Sequence, residues 1–158
     1  MMKTAFLAAA AILLPLGALA HDGMAVEDAY ARASNPKAGA AFMRLDNHRE
    51  VDCTLSGVSS DAAEKVELHT HTEIDGIMKM GPIEGGIPVP AGASHALERG
   101  GDHVMMMGLR TPLQDGDIIA ITLDFGDCGV IDAEVPVDNK RAPTETGTTA
   151  NETDHEGH

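Results

Sequence analysis

Sulfur and imidazole side chains crowd three short segments of the chain: His69-Thr70-His71, Met78-Lys79-Met80 and His103-Val104-Met105-Met106-Met107. Within each segment a donor recurs at every second position, the spacing that puts side chains on one face of an extended strand. Thioether sulfur is a soft, uncharged donor and imidazole a borderline one, so a site mixing them favours Cu(I) over zinc, magnesium or calcium. A solitary Met in a β-domain is commonly core filler. Here, however, five of the seven methionines after residue 20 fall in these segments. The leading candidates are His69, Met80, His103 and Met105, an N2S2 set suited to a tetrahedral cuprous ion. His71, Met78 and Met107 are same-face neighbours, as outer supports or alternate ligands. Alternation turns Met106 to the opposite face, into the core, and Met43, His48 and His95 read as structural or solvated.

Strands must carry these donors, and the sequence reads as β throughout. Segments 26–33, 38–47, 51–59, 65–71, 76–80, 95–98, 103–109, 117–125 and 130–137 have strand character. Turn signals such as Asn35-Pro36, Asp75-Gly76, Gly85-Gly86, Gly100-Gly101 and Asp115-Gly116 separate them. Residues 61–65 are expected to form one helical turn, and no longer stretch shows a helical period. Many short strands at this spacing predict a β-sandwich or barrel. With no Trp and three Phe, the core has to be built from aliphatic residues and Met. A hairpin around Asp75-Gly76 brings His69 and His71 near Met80 and Met78, and a third strand supplies His103 and Met105.

The ends of the chain have a different character. Lys3, the apolar run 5–14 and Ala18-Leu19-Ala20 read as a signal peptide over residues 1–20, cleaved after Ala20. That run is too short for a membrane-spanning helix, and nothing downstream is long and apolar enough, so no membrane insertion is expected. One domain over residues 21–138 follows. Residues 139–158, polar and ending in His155-Glu156-Gly157-His158, read as a disordered acidic tail. A formal charge of −14 argues against nucleic acid or anionic lipid as partners and suits a cation or a basic protein. Export puts Cys53 and Cys128 in an oxidising compartment. A bridge between an early strand and the last one is the leading reading, with two buried thiols or added copper ligands as alternatives. His21, Met24, His155 and His158 are candidates for an accessory Cu(II) site, against a tail that only keeps the protein soluble.

Two rival copper chemistries can be weighed on the residues. A blue-copper centre needs a Cys thiolate with His and Met close behind it, and Cys128 is followed by neither. Cleavage after Ala20 would expose His21 as an amino-terminal histidine brace for a copper oxidase, but the start of an exported domain is usually frayed. No nucleophile elbow or phosphate-binding loop is present, so the chain reads as a non-enzyme. A passive copper buffer or resistance protein would need the same donors as a carrier.

The arrangement of donors resembles the periplasmic copper chaperones of the PCu(A)C family. Their signature is a His, a Met about ten residues later, then His-x-Met after about twenty more. Here ten residues separate His69 from Met80, and twenty-two separate Met80 from His103-Val104-Met105. The second gap is one residue longer than the usual form, and the loop Arg99-Gly100-Gly101-Asp102 can absorb it. Val26-Glu27-Asp28-Ala29-Tyr30-Ala31-Arg32, Gly39-Ala40-Ala41-Phe42-Met43 and Val66-Glu67-Leu68-His69 are also similar to the family. The resemblance implies an all-β, cupredoxin-like Greek-key β-sandwich that binds Cu(I) through His69, Met80, His103 and Met105. It further implies delivery to the binuclear copper centre of cytochrome c oxidase subunit II alongside a Sco-type thiol protein in the periplasm. The His-bearing tail is similar to Cu(II)-binding extensions in some members.

Overall fold

The computed structural model describes residues 23–143. In chain order the strands are β1 (Met24–Asn35), β2 (Ala38–Asn47), β3 (Cys53–Leu55), β4 (Gly57–Ser59), β5 (Ala63–Ile74) and β6 (Ile77–Pro82). They continue with β7 (Ile87–Val89), β8 (Ser94–Leu97), β9 (His103–Leu109), β10 (Ile118–Asp124) and β11 (Val130–Pro136). β2 and β9 have the bounds expected from the sequence. The expected strand over 51–59 is broken in two, because β3 pairs with β7 whereas β4 pairs with β10. Between them, the Ser56 amide donates to the Asp124 carbonyl as the chain crosses from one sheet to the other. The helical turn expected over 61–65 is replaced by β5 from Ala63 onward, where pairing with Leu109 overrides local preference. β7 was not expected: three residues between two turn signals give too short a pattern to read.

One sheet runs β1-β2-β9-β5-β6, with β8 also on β2, and a second runs β11-β10-β4. Neighbours far apart in sequence, such as β2 with β9, give the Greek-key character. The core lies between the sheets. It takes Ala41, Met43 and Leu45 from β2, Val104 and Met106 from β9 and Leu68 from β5, against Ile121, Leu123, Ala133 and Val135 opposite. Met106 is fully buried there, as alternation predicted. β2 is unusual in being buried on both faces, because Ala40, Phe42 and Tyr30 of β1 form a second apolar cluster on the outer side of its sheet. Such a strand reads as a near-continuous apolar run, as 38–43 does.

Cys53 and Cys128 form a disulfide. Cys53 lies on β3, but Cys128 ends a 3-10 turn (Gly126–Cys128) ahead of β11 and is not on the last strand itself. The bridge ties the small β3–β7 ribbon to the second sheet and closes a loop of 75 residues that contains every candidate copper donor of the three segments. Beyond the expected domain end at residue 138, the chain stays attached for several residues. The Asn139 side chain accepts from the Ala33 amide at 2.7 Å and its own amide donates to Asp115 at 2.6 Å. The Arg141 guanidinium lies 4.2 Å over the Tyr30 ring and 2.6 Å from Asp28. Polar contacts, without apolar burial, hold this start of the predicted tail. Among the described residues no helix is long and apolar enough to cross a membrane.

Candidate metal centre

Strand register assembles the centre. β5 pairs with β9 so that His69 faces His103, Glu67 faces Met105 and Lys65 faces Met107. β5 pairs with β6 so that His71 faces Met80, Glu73 faces Met78 and His69 faces Pro82. The β5–β6 register follows from a two-residue turn in which Asp75 and Gly76 have φ of 53° and 77°. Two consecutive positive φ values make the tight hairpin turn whose twist matches the flanking strands, and Gly adopts one at no steric cost. Period-two alternation then puts all these side chains on the outer face of the larger sheet. His69 is central, directly opposite His103 and one diagonal step from both Met80 and Met105. Diagonal neighbours lie roughly 7–8 Å apart at Cα, within reach of Met and His side chains. Met78 lies towards the hairpin tip and Met107 towards the opposite end, beside Lys65, both further from that centre.

Burial and hydrogen bonding prepare the two central imidazoles. His103 is 3 % exposed and His69 8 %. His103 Nδ1 donates to the Gly101 carbonyl at 3.0 Å, which leaves the Nε2 lone pair free. His69 Nε2 donates to Glu67 at 2.9 Å, and its Nδ1 is buried with no hydrogen-bond partner. Each ring thus gives one nitrogen to an acceptor and keeps the other uncommitted, the arrangement that fixes tautomer and orientation in metal-binding histidines. Burial holds His103 below the ordinary His pKa, the Gly101 hydrogen bond opposing it, so the ring is neutral and able to donate at pH 7. The hydrogen bond from His69, with Lys65 2.8 Å away on the other oxygen, keeps the Glu67 carboxyl below its usual range.

A cleft of about 290 Å³ opens over this face. His71, Met80, His103 and Met105 line it, with Phe42 and Ala40 forming an apolar wall and Arg32 and Arg99 among the remaining lining residues. The His103 ring lies 5.4 Å from that of His71, 6.1 Å from that of His69 and 6.1 Å from Phe42. His69 is not part of the cleft wall. Met80 is 48 % exposed on the edge strand β6. Among the described residues no three His, Cys, Asp or Glu side chains gather as a metal-holding group.

Other sequence candidates have different surroundings. Met43 is core, and His95 bonds to Asp102 at 2.8 Å. Met24 starts β1 opposite Asn47 and packs against the core, away from the cleft. His21, His155 and His158 lie outside the described residues. The sequence reading missed Glu67 and the wall of Tyr30, Ala40 and Phe42. Glu67 is two residues from His69 on the same face, a spacing that signals it.

Residues 24–137 match the family described as "Putative lipoprotein LpqE-like". A relative from Leifsonia xyli subsp. xyli, "Putative lipoprotein Lxx21020", is 34% identical over 116 residues, spanning 73% of this chain and 70% of its own. The solution structure of CuI-DR1885 from Deinococcus radiodurans is 31% identical, with a TM-score of 0.55 over 73% of this chain and 79% of that one. The apo PCuAC domain from PmoF1 shares the fold, with a TM-score of 0.60 at 18% identity, over 73% of this chain and 92% of that one. The copper-bound PCuAC domain from PmoF2 shares it at 0.58 and 20%, over the same shares. Family match, relative and fold agree: the chain belongs to the LpqE-like family of PCu(A)C-type, cupredoxin-like domains.

Proposed function

We propose that this protein is an exported copper chaperone that carries Cu(I) between His69, Met80, His103 and Met105. The observation that carries the reading is the pair of buried imidazoles, each with an uncommitted nitrogen, next to two thioethers on one sheet face. Two imidazoles and two thioethers leave the cuprous charge uncompensated and suit a soft monovalent ion in four-coordination. Because neither thioether has a proton to lose and burial keeps His103 neutral at pH 7, the ion can leave by ligand exchange without waiting for protonation. The half-exposed Met80 on the edge strand gives a recipient access to it. Relatives of known structure described as copper-bound or CuI-bound support copper as the cargo.

The recipient in this reading is the binuclear centre of cytochrome c oxidase subunit II, alongside a Sco-type thiol protein, and the compartment is the periplasm, after cleavage following Ala20. His21 and the tail histidines His155 and His158 supply weaker Cu(II) binding. The protein is a carrier and catalyses no reaction. The test is competition with a Cu(I) chelator under anaerobic conditions, combined with X-ray absorption of the loaded protein. One cuprous ion with mixed sulfur and nitrogen neighbours, weakened more than tenfold by His103→Ala or Met105→Ala, is expected. Unchanged affinity in both variants, or an all-nitrogen shell, would overturn the assignment.

A further inference from the structure

Counted together with His69 behind its wall, the donors of the cleft number one more than a tetrahedral cuprous site uses. His71 faces Met80 directly across the β5–β6 ladder and lines the cleft with Met80, His103 and Met105. Its ring is closer to His103 than that of His69 is, 5.4 Å against 6.1 Å. Two imidazoles that share one ion at about 2.0 Å from each nitrogen have ring centroids about 5 Å apart at tetrahedral to trigonal angles. The His71–His103 spacing already accommodates that, whereas His69 and His103 have to draw together. Register sets the limit on what His71 can do. It is adjacent to Met80 and diagonal to His103, but four residues along the ladder from the position facing Met105, so it cannot replace His69 within the same compact tetrad. Burial adds a direction, since His69 is almost fully covered and His71 is half-buried on the solvent side of it.

Resting on the copper reading above, we propose that His71 is an exchange ligand, a fifth donor that takes the ion over from His69 as it enters and leaves the site. In the step outward the bonds from copper to the His69 nitrogen and the Met105 sulfur break, and a bond to a His71 nitrogen forms. The result is a three-coordinate His71–Met80–His103 set at the cleft mouth. Copper stays cuprous and no electron moves. No proton is transferred, and His69 keeps its hydrogen bond to Glu67 throughout. Loading follows the same path in reverse. A residue that lowers the barrier in both directions changes rates and leaves the equilibrium nearly untouched.

The full-length protein, loaded anaerobically with one equivalent of Cu(I), tests this by two measurements. Competition with bicinchoninate gives affinity, and stopped-flow transfer to excess bicinchoninate gives the release rate. His71→Ala is expected to keep affinity within about threefold of wild type while slowing loading and release by the same factor, fivefold or more. His71→Met, which restores a soft donor at that place, is expected to recover most of the rate. His69→Ala should lose affinity more than tenfold. Several results would overturn the exchange role. An affinity loss in His71→Ala as large as in His69→Ala makes His71 a resident ligand. Unchanged rates make it a bystander, and failure of His71→Met to recover the rate makes the effect one of packing. A wild-type protein that cannot compete for Cu(I) at all removes the copper reading itself, and the exchange role with it.

Discussion

Replacing both bridged cysteines, Cys53→Ala with Cys128→Ala, separates the frame of this domain from its donors. The bridge closes a 75-residue loop, for which loop-closure entropy in the unfolded chain gives a stabilisation of about 4 kcal/mol at 25 °C. Unfolding entropy of about 2.1 cal/mol/K per residue over the described domain amounts to roughly 0.25 kcal/mol/K, so the expected fall in Tm is about 15 °C. Circular dichroism during heating reads that shift, and urea unfolding gives the free energy independently. The four proposed ligands sit on β5, β6 and β9, none of which contains a cysteine. Cu(I) affinity of the double variant, measured below its Tm, should therefore match wild type. Alanine is preferred to chemical reduction because liberated thiols would themselves bind cuprous copper. A Tm change of less than about 4 °C would refute the entropic account of the bridge. An affinity drop at full folding would show that the sulfur atoms of Cys53 or Cys128 contribute to the metal site.

Three further outcomes follow from the geometry. Glu67→Ala removes the acceptor that orients His69 and should weaken Cu(I) binding roughly tenfold to a hundredfold, with Glu67→Gln retaining more; equal affinity of both variants and wild type in chelator competition would contradict it. Because burial holds His103 below its ordinary pKa, the unfolded chain takes up a proton below about pH 6.5 while the folded one resists. Stability is then lost as pH falls from there towards the lowered folded value, by at most about 1.4 kcal/mol per pH unit. Urea titrations of the copper-free protein at pH 7.5 and 5.5 should show this loss, and His103→Asn should reduce it; an identical pH slope in the variant would refute the assignment to His103. Removing residues 142–158 should lower Cu(II) uptake and spare Cu(I); equal Cu(II) stoichiometry by equilibrium dialysis would dismiss the tail histidines as ligands.

Local pattern was most informative where one strand does one job. β9 could be bounded from its alternation alone, since Val104 and Met106 point into the core while His103, Met105 and Met107 point out. The same alternation picked out the candidate donors. What escaped the sequence were events that depend on partners distant in the chain. The break at Ser56 exists because β3 and β4 find different sheets, and nothing in residues 51–59 encodes where those sheets lie. Cys128 was legible as a bridge candidate, but its place in a 3-10 turn depends on the Phe125 and Gly129 backbone pairing around it. The aromatic wall of Tyr30 and Phe42 was present as an apolar run in β2, the mark of burial on both faces. The hold on Asn139 and Arg141 was invisible to composition because hydrogen bonds and a cation over a ring achieve it.

The turn at Asp75 and Gly76 acts as the reading frame of the proposed copper site. One residue inserted there would shift every position of β6 to the other side of the ladder, exchanging the sulfur of Met80 for the ammonium of Lys79 beside two histidines. The loop between β8 and β9 sets no register in this way, because β9 pairs with β2 and β5 and not with β8. Length drift among descendants of this sequence should therefore collect in the second loop and be tolerated in the first only in steps of two.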